Sequence, residues 1–228
     1  MFTKPIHERY QFSLRMMLGA IAVLACLFAA TGYLIDRWHK GEPERRMRRM
    51  NELILSNGGY WGYRGASEDV PAGSFLSLDH ATTTQVDLIL RELKAFDGQV
   101  DMSFRKSQFG DAHVKEIVGH RGLALLGLNK TSITDEGLNE LAGLKALISL
   151  DLDNTAITDR GLEHLAEHPE LQYLSLDNDA ITDAGLEHLA KLPKLSDLHV
   201  TGTKVTEEGI AKLKRSKPNL EVNVYYGR

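Results

Sequence analysis

Residues 133–138 read Ile-Thr-Asp-Glu-Gly-Leu. The same hexad returns as Ile-Thr-Asp-Arg-Gly-Leu at 157–162, as Ile-Thr-Asp-Ala-Gly-Leu at 181–186 and as Val-Thr-Glu-Glu-Gly-Ile at 205–210. Each step is 24 residues, and a degraded copy, Phe-Gly-Asp-Ala-His-Val at 109–114, stands one step further upstream. A fixed period in the twenties is the signature of a solenoid, in which each repeat buries its apolar face only against its neighbours.

Inside each period the apolar rhythm changes once. Leu147, Leu150 and Leu152 recur as Leu171, Leu174 and Leu176, then as Leu195, Leu198 and Val200. The closing Leu-x-Leu pair alternates as a half-buried strand does. Leu138, Leu141 and Leu144 follow at helical spacing. The junction is equally regular. Thr134, Thr158, Thr182 and Thr206 suit an N-cap, where the hydroxyl accepts from an orphan helix N–H. Asp135, Asp159, Asp183 and Glu207 come next, where a negative charge meets the positive end of the helix. Ile133 and Leu138 have hydrophobic-staple spacing. The glycines at 137, 161, 185 and 209 lower helix propensity, and we read them as points of close packing between repeats.

These residues, in the form LxxLxLxxTxITDxGLxxL, resemble the leucine-rich repeat. The match is good over 109–228 and decays back to about 81. The ITDxGL variant is similar to the repeats of F-box leucine-rich proteins, and to those of bacterial membrane-anchored repeat proteins with an FSLR-type segment, here Phe12-Ser-Leu-Arg15. The resemblance implies an α/β solenoid, a right-handed β-α superhelix with parallel strands on the concave face and short helices on the convex face. Strands are expected near 100–104, 124–128, 148–152, 172–176, 196–200 and 220–224. The domain then spans 81–228, with about five repeats. An amphipathic helix over 82–96 caps its N-terminal end and turns Leu88, Leu93 and Phe96 toward the first strand. Residues 57–80, with Gly-Gly-Tyr-Trp-Gly-Tyr at 58–63, read as a loop with room for one short strand. The Asn or Cys usual after the strand is replaced by Thr131, Thr155, Asp179 and Thr203, whose side chains can still bond to loop amides.

Composition fits a folded protein: 228 residues, 43% hydrophobic, 25% charged, one cysteine, formal charge −4. A single cysteine excludes a disulfide scaffold and a cysteine-rich zinc module. The acidic balance argues against a nucleic-acid partner. The charge is also divided. Residues 1–50 carry nine Lys/Arg and four Asp/Glu; residues 51–228 carry 18 and 27. Between the 1–15 tail and the basic 36–56 linker lies Met16 to Ile35, an uncharged stretch that would form about 30 Å of helix, the thickness of a hydrocarbon core. We therefore expect a single-pass transmembrane helix at 16–35, flanked by the aromatics Tyr33 and Trp38. A cleaved signal peptide and a lipoprotein box at Cys26 are the competing readings; Leu24 and the long apolar run after Cys26 count against the latter. Arg37, Lys40, Arg45, Arg46, Arg48 and Arg49 outnumber Lys4, Arg9 and Arg15, which favours a cytoplasmic body. A signal-anchor topology remains the alternative.

Chemistry-bearing patterns are scarce. There is no phosphate loop, HExxH or GxSxG. No catalytic residue, cofactor, small-molecule substrate or metal is expected. His164 and His188 share a convex position and lack further ligands. The concave face carries the polar interest. Its columns are Asp101, Leu125, Ser149, Tyr173, Asp197, Glu221; then Ser103, Gly127, Asp151, Ser175, His199, Asn223; then Arg105, Asn129, Asp153, Asp177, Thr201, Tyr225. Asp153 and Asp177 fall ~5 Å apart if they pair across strands. Asp151, Asp153, Tyr173, Ser175, Asp177, Asp197, His199 and Glu221 thus form a candidate protein-binding patch for a basic surface or peptide. A calcium site at Asp151, Asp153 and Asp177 would be short of oxygens. The functional reading is a membrane-anchored interaction protein; a ubiquitin-ligase adaptor, though no F-box precedes the repeats, and a subunit of an enzyme complex are the alternatives.

Overall fold

The computed structural model describes residues 49, 51–56, 58–64, 73–94, 100–120 and 122–224. The tail 1–15, the apolar segment 16–35, the linker up to residue 48, Phe96 and Tyr225 lie outside them. Among the described residues no helix is long and apolar enough to cross a membrane.

One eight-stranded sheet runs through the body in chain order. It opens with β1 (Tyr60–Arg64) and β2 (Gly73–Ser77), which pair antiparallel. All later pairs are parallel: β3 (Val100–Ser103), β4 (Leu125–Gly127), β5 (Ser149–Asp151), β6 (Tyr173–Ser175), β7 (Asp197–His199) and β8 (Glu221–Asn223). Helices alternate with them: α1 (Thr83–Leu93), α2 (Asp111–Ile117), α3 (Asp135–Leu141), α4 (Asp159–Leu165), α5 (Asp183–Leu189) and α6 (Glu207–Ser216). The solenoid expected from the 24-residue period is present. The repeat strands are about one residue shorter at each end than their sequence windows.

Two expectations need correction. The described part of 57–80 holds two strands rather than one, and β1 and β2 pair antiparallel to begin the sheet. In α1, which is shorter than 82–96, Leu88 is 39% exposed, while Val86, Ile89, Leu90 and Leu93 are buried. Those four follow i, i+3, i+4, i+7, and Leu88 falls off that stripe.

The core is a set of columns. Leu126, Leu150, Leu174, Leu198 and Val222 are register partners across five strands. Ile133, Ile157, Ile181 and Val205 are buried, as are Leu138, Leu162 and Leu186. Each buried leucine or isoleucine contributes about 1.5–3 kcal/mol relative to exposure. One column is interrupted. His168 stands 24 residues from both Leu144 and Leu192 and is fully buried. Its Nδ1 lies 3.2 Å from the Leu165 carbonyl and its Nε2 3.0 Å from the Leu141 carbonyl. The neutral ring donates to one of these two helix-end carbonyls, according to its tautomer, and each carbonyl also accepts a backbone N–H, from His168 and from Leu144 respectively. Burial lowers its pKa.

A three-residue interlock explains the repeated hexad. Thr134, Thr158, Thr182 and Thr206 cap their helices, each hydroxyl accepting from the N–H of Glu136, Arg160, Ala184 or Gly209. The aspartate of the preceding repeat reaches the same threonine. Asp135 Oδ1 accepts the Thr158 N–H at 2.8 Å, and Oδ2 accepts its hydroxyl at 2.6 Å. Asp111, Asp159 and Asp183 repeat this on Thr134, Thr182 and Thr206. The glycine makes room for it. A Cβ at Gly137, Gly161, Gly185 or Gly209 would fall inside 3.0 Å of the Oδ1 of Asp111, Asp135, Asp159 or Asp183. Where α1 offers Thr83 instead of a carboxylate at its first position, the glycine position is filled by His113.

The loop after each strand holds a second periodic feature. Lys106, Lys130, Asn154, Asn178 and Gly202 all have positive φ, from 55° to 73°. The first four donate their N–H to the carbonyls of Asn129, Asp153, Asp177 and Thr201 in the next repeat. This left-handed conformation suits glycine and asparagine and costs a lysine about 1–2 kcal/mol. The expected side-chain ladder just beyond is altered. Asp179 Oδ1 does accept the Thr155 N–H at 2.6 Å. Thr131 and Thr203 donate to the Leu128 and Val200 carbonyls of their own loops, and the Thr203 hydroxyl also accepts the Val205 N–H at 3.3 Å.

Candidate functional site

The parallel register brings the sequence columns onto one face. Ser149, Tyr173, Asp197 and Glu221 are successive partners, as are Gly127, Asp151, Ser175, His199 and Asn223. Asp153 and Asp177 do not belong to strands. β5 and β6 end at 151 and 175, so both residues sit in the turns that follow.

Two groups of side chains form from the candidate residues. The first is built on β6, β7 and β8. The Tyr173 and His199 rings lie 5.2 Å apart at 48°. Asp197 Oδ1 is 3.3 Å from His199 Nε2 and accepts the Asn223 amide N–H at 3.0 Å. The same amide nitrogen is 3.3 Å from His199 Nε2. In one tautomer His199 donates to Asp197; in the other it accepts from Asn223. Tyr173 and His199 remain part-exposed, and Glu221 is exposed on the last strand.

The second group is internal scaffolding. Asp153 Oδ1 accepts the Ser175 hydroxyl at 2.5 Å and the Asp177 N–H at 2.9 Å. Asp177 Oδ1 accepts the Thr201 N–H at 2.6 Å. Asp101 does the same upstream, toward the N–H groups of Ala124 and Leu125. Ser175 is only 2% exposed. Asp153, Ser175 and Asp177 are thus committed to holding neighbouring turns, a use the sequence reading did not give them. Among the described residues no cluster of His, Cys, Asp or Glu is arranged to hold a metal ion, the Asp151, Asp153, Asp177 set included.

Burial raises two of the carboxyls on and beside this face. The Asp151 carboxyl is pushed up to about 6, first by desolvation and then by the charges of Asp153 and Asp177, against a bond from the Asp153 N–H and the pull of Arg105. Asp179 rises to about 7 for the same first reason, opposed by its bonds from Thr155. Its Oδ2 is buried without a partner. Burial also raises the Tyr173 phenol, with Asp151, Asp153 and Asp197 adding to the effect. Asn223 and His168 were not singled out in the sequence reading, and Asp179 was read there only as a partner for loop amides. Asn223 lay in the right column, and His168 betrayed itself only by interrupting a column of leucines.

A family model described as Leucine Rich repeat matches residues 145–166, most of one period of the array. No curated protein sequence matches the chain. Among solved structures, internalin C2 of Listeria monocytogenes is similar at 20% identity over 77% of this chain and 92% of its own, with a TM-score of 0.47. A leucine-rich-repeat protein of Leptospira interrogans is similar at 22% identity and a TM-score of 0.46; the match covers 58% of this chain and 32% of that one. With the 24-residue period, the strand, turn and helix units and the family-model match in agreement, the array is one of leucine-rich repeats.

Proposed function

We propose that the chain is a single-pass membrane protein, held by residues 16–35, whose repeats bind a protein partner on their concave face without catalysis. Solenoids of this kind bind along the surface their curvature creates. The observation that carries the reading is the Tyr173, His199, Asp197 and Asn223 group. It sets a part-buried aromatic pair beside a carboxylate on the last three strands of the polar face. A half-buried tyrosine ringed by polar groups is a common anchor of protein interfaces. Carboxylates around it would steer a basic segment into place. The excess of Lys/Arg after residue 35 favours a cytoplasmic body.

A photo-crosslinking residue at position 173, with one at convex position 163 as control, tests this in membranes carrying the full chain. One discrete adduct at 173, absent at 163 and lost in Asp197→Asn, is the expected result. Equal labelling at both positions would end the concave-face reading. Binding of a basic partner should strip the proton from Asp151, so affinity should rise as pH climbs through about 6. Protease added outside intact cells should leave a C-terminal tag untouched.

A further inference from the structure

The three large apolar side chains exposed among the described residues are Leu55, Tyr60 and Leu88, at 60%, 59% and 39%. All belong to the first units of the body, and none lies in residues 100–224. The end of a solenoid normally needs a polar cap, and exposed large apolar groups confined to the first units suit a surface that is covered.

We propose that this N-terminal end rests on the membrane, with Leu55, Tyr60 and Leu88 entering the headgroup layer of an anionic bilayer. The proposal rests on the anchor reading above. Twenty residues separate Ile35 from Leu55, about 30 Å if helical and about 70 Å if fully extended, so the tether keeps this end close to the surface. Arg45, Arg46, Arg48 and Arg49 fall within ten residues of Leu55 along the chain, a density suited to acidic headgroups. Tyrosine is at home in the interfacial layer. Residues 65–228 carry 17 Lys/Arg against 26 Asp/Glu, so an anionic leaflet repels the rest of the body. Contact is confined to the end, and the acidic concave face is kept in water.

The test uses the full chain in phosphatidylserine-containing vesicles, with Cys26→Ser and a single dye on Ser56→Cys or, as control, on Lys204→Cys. A headgroup-level quencher should act severalfold more strongly at 56 than at 204. Leu55→Glu with Tyr60→Glu should bring position 56 down to the control with no loss of melting temperature, since both side chains are exposed. Pure phosphatidylcholine should weaken the effect severalfold. Equal quenching at 56 and 204 in protein that resists carbonate extraction would overturn the docking and leave the anchor standing. Protein that washes off in carbonate would remove the anchor reading and the docking with it. Shielding of position 56 that follows protein concentration rather than lipid would assign the surface to a second copy and overturn the proposal.

Discussion

Replacing Gly161 by alanine probes the interlock between repeats. The new Cβ would fall inside 3.0 Å of Asp135 Oδ1, with Asp135 Cγ at 3.0 Å and its backbone Cα at 3.3 Å. The carboxylate must swing away, because its Oδ1 lies well inside contact distance of the new Cβ. Its two bonds to Thr158, at 2.8 and 2.6 Å, go with it. Hydrogen bonds to a charged group contribute about 1.5–3 kcal/mol each. Alanine returns about 1 kcal/mol of helix propensity. The net expectation is a loss of roughly 2–5 kcal/mol, or roughly 5–15 °C for a body of this size. Thermal unfolding of the full chain in mild detergent, followed by far-UV circular dichroism, reads this directly. Gly119→Ala, whose Cβ would meet nothing within 4 Å, is the control and should change little. Asp135→Ala should cost a similar amount alone. In that background Gly161→Ala should cost less than about 1 kcal/mol, because the bonds are already gone. An equal cost with and without Asp135 would refute the interlock.

Three other outcomes follow from the same geometry. Gly202, at φ 73°, is the one glycine in the left-handed row, so Gly202→Ala should cost about 1–3 kcal/mol while Lys130→Asn, at φ 58°, should gain up to about 1 kcal/mol, both read from urea midpoints. His168→Leu restores the leucine column and removes one ring N–H bond, while the Leu141 and Leu165 carbonyls keep the backbone N–H groups of residues 144 and 168, so stability should change by less than about 1.5 kcal/mol; a larger loss would mean that the ring's bond outweighs packing. The folded-state pKa values of Asp151 and Asp179, about 6 and about 7, lie above the unfolded carboxylate value, so the folded chain keeps protons the unfolded chain has lost. Their stabilising contribution is full below about pH 4 and declines as pH rises through 6 and 7. Asp179→Asn, which keeps an acceptor for Thr155, should flatten that decline in a series of urea titrations.

The array was legible because its local signals agree with one another. The Leu-x-Leu pairs, the threonine caps and the isoleucine staples each point to one unit, and their period sets the register. The role of Asp135 was only half legible. At a helix start it reads as a charge facing a dipole. Its stronger partner, Thr158, is 23 residues away, and only the shared recurrence of aspartate, threonine and glycine hinted at it. The pairing of β1 with β2 was missed because Gly-Gly-Tyr-Trp-Gly-Tyr has no two-residue alternation, and because β2 precedes β3 by 26 residues instead of 24. On the concave face, column membership could be read from alternation. The commitment of Asp153 and Asp177 could not, since both bond to backbone N–H groups of the next repeat, which carry no side-chain signature, and the Ser175 hydroxyl that Asp153 also holds lies 22 residues away.

Each joint in this array has its tongue in one repeat and its groove in the next. A stretch of 24 residues cut anywhere in the regular region carries one of each. Genetic duplication or loss of a whole period therefore leaves every seam closed, whereas a gain or loss of any other length opens one. The array can lengthen like masonry, by whole courses, with no new design at the boundary.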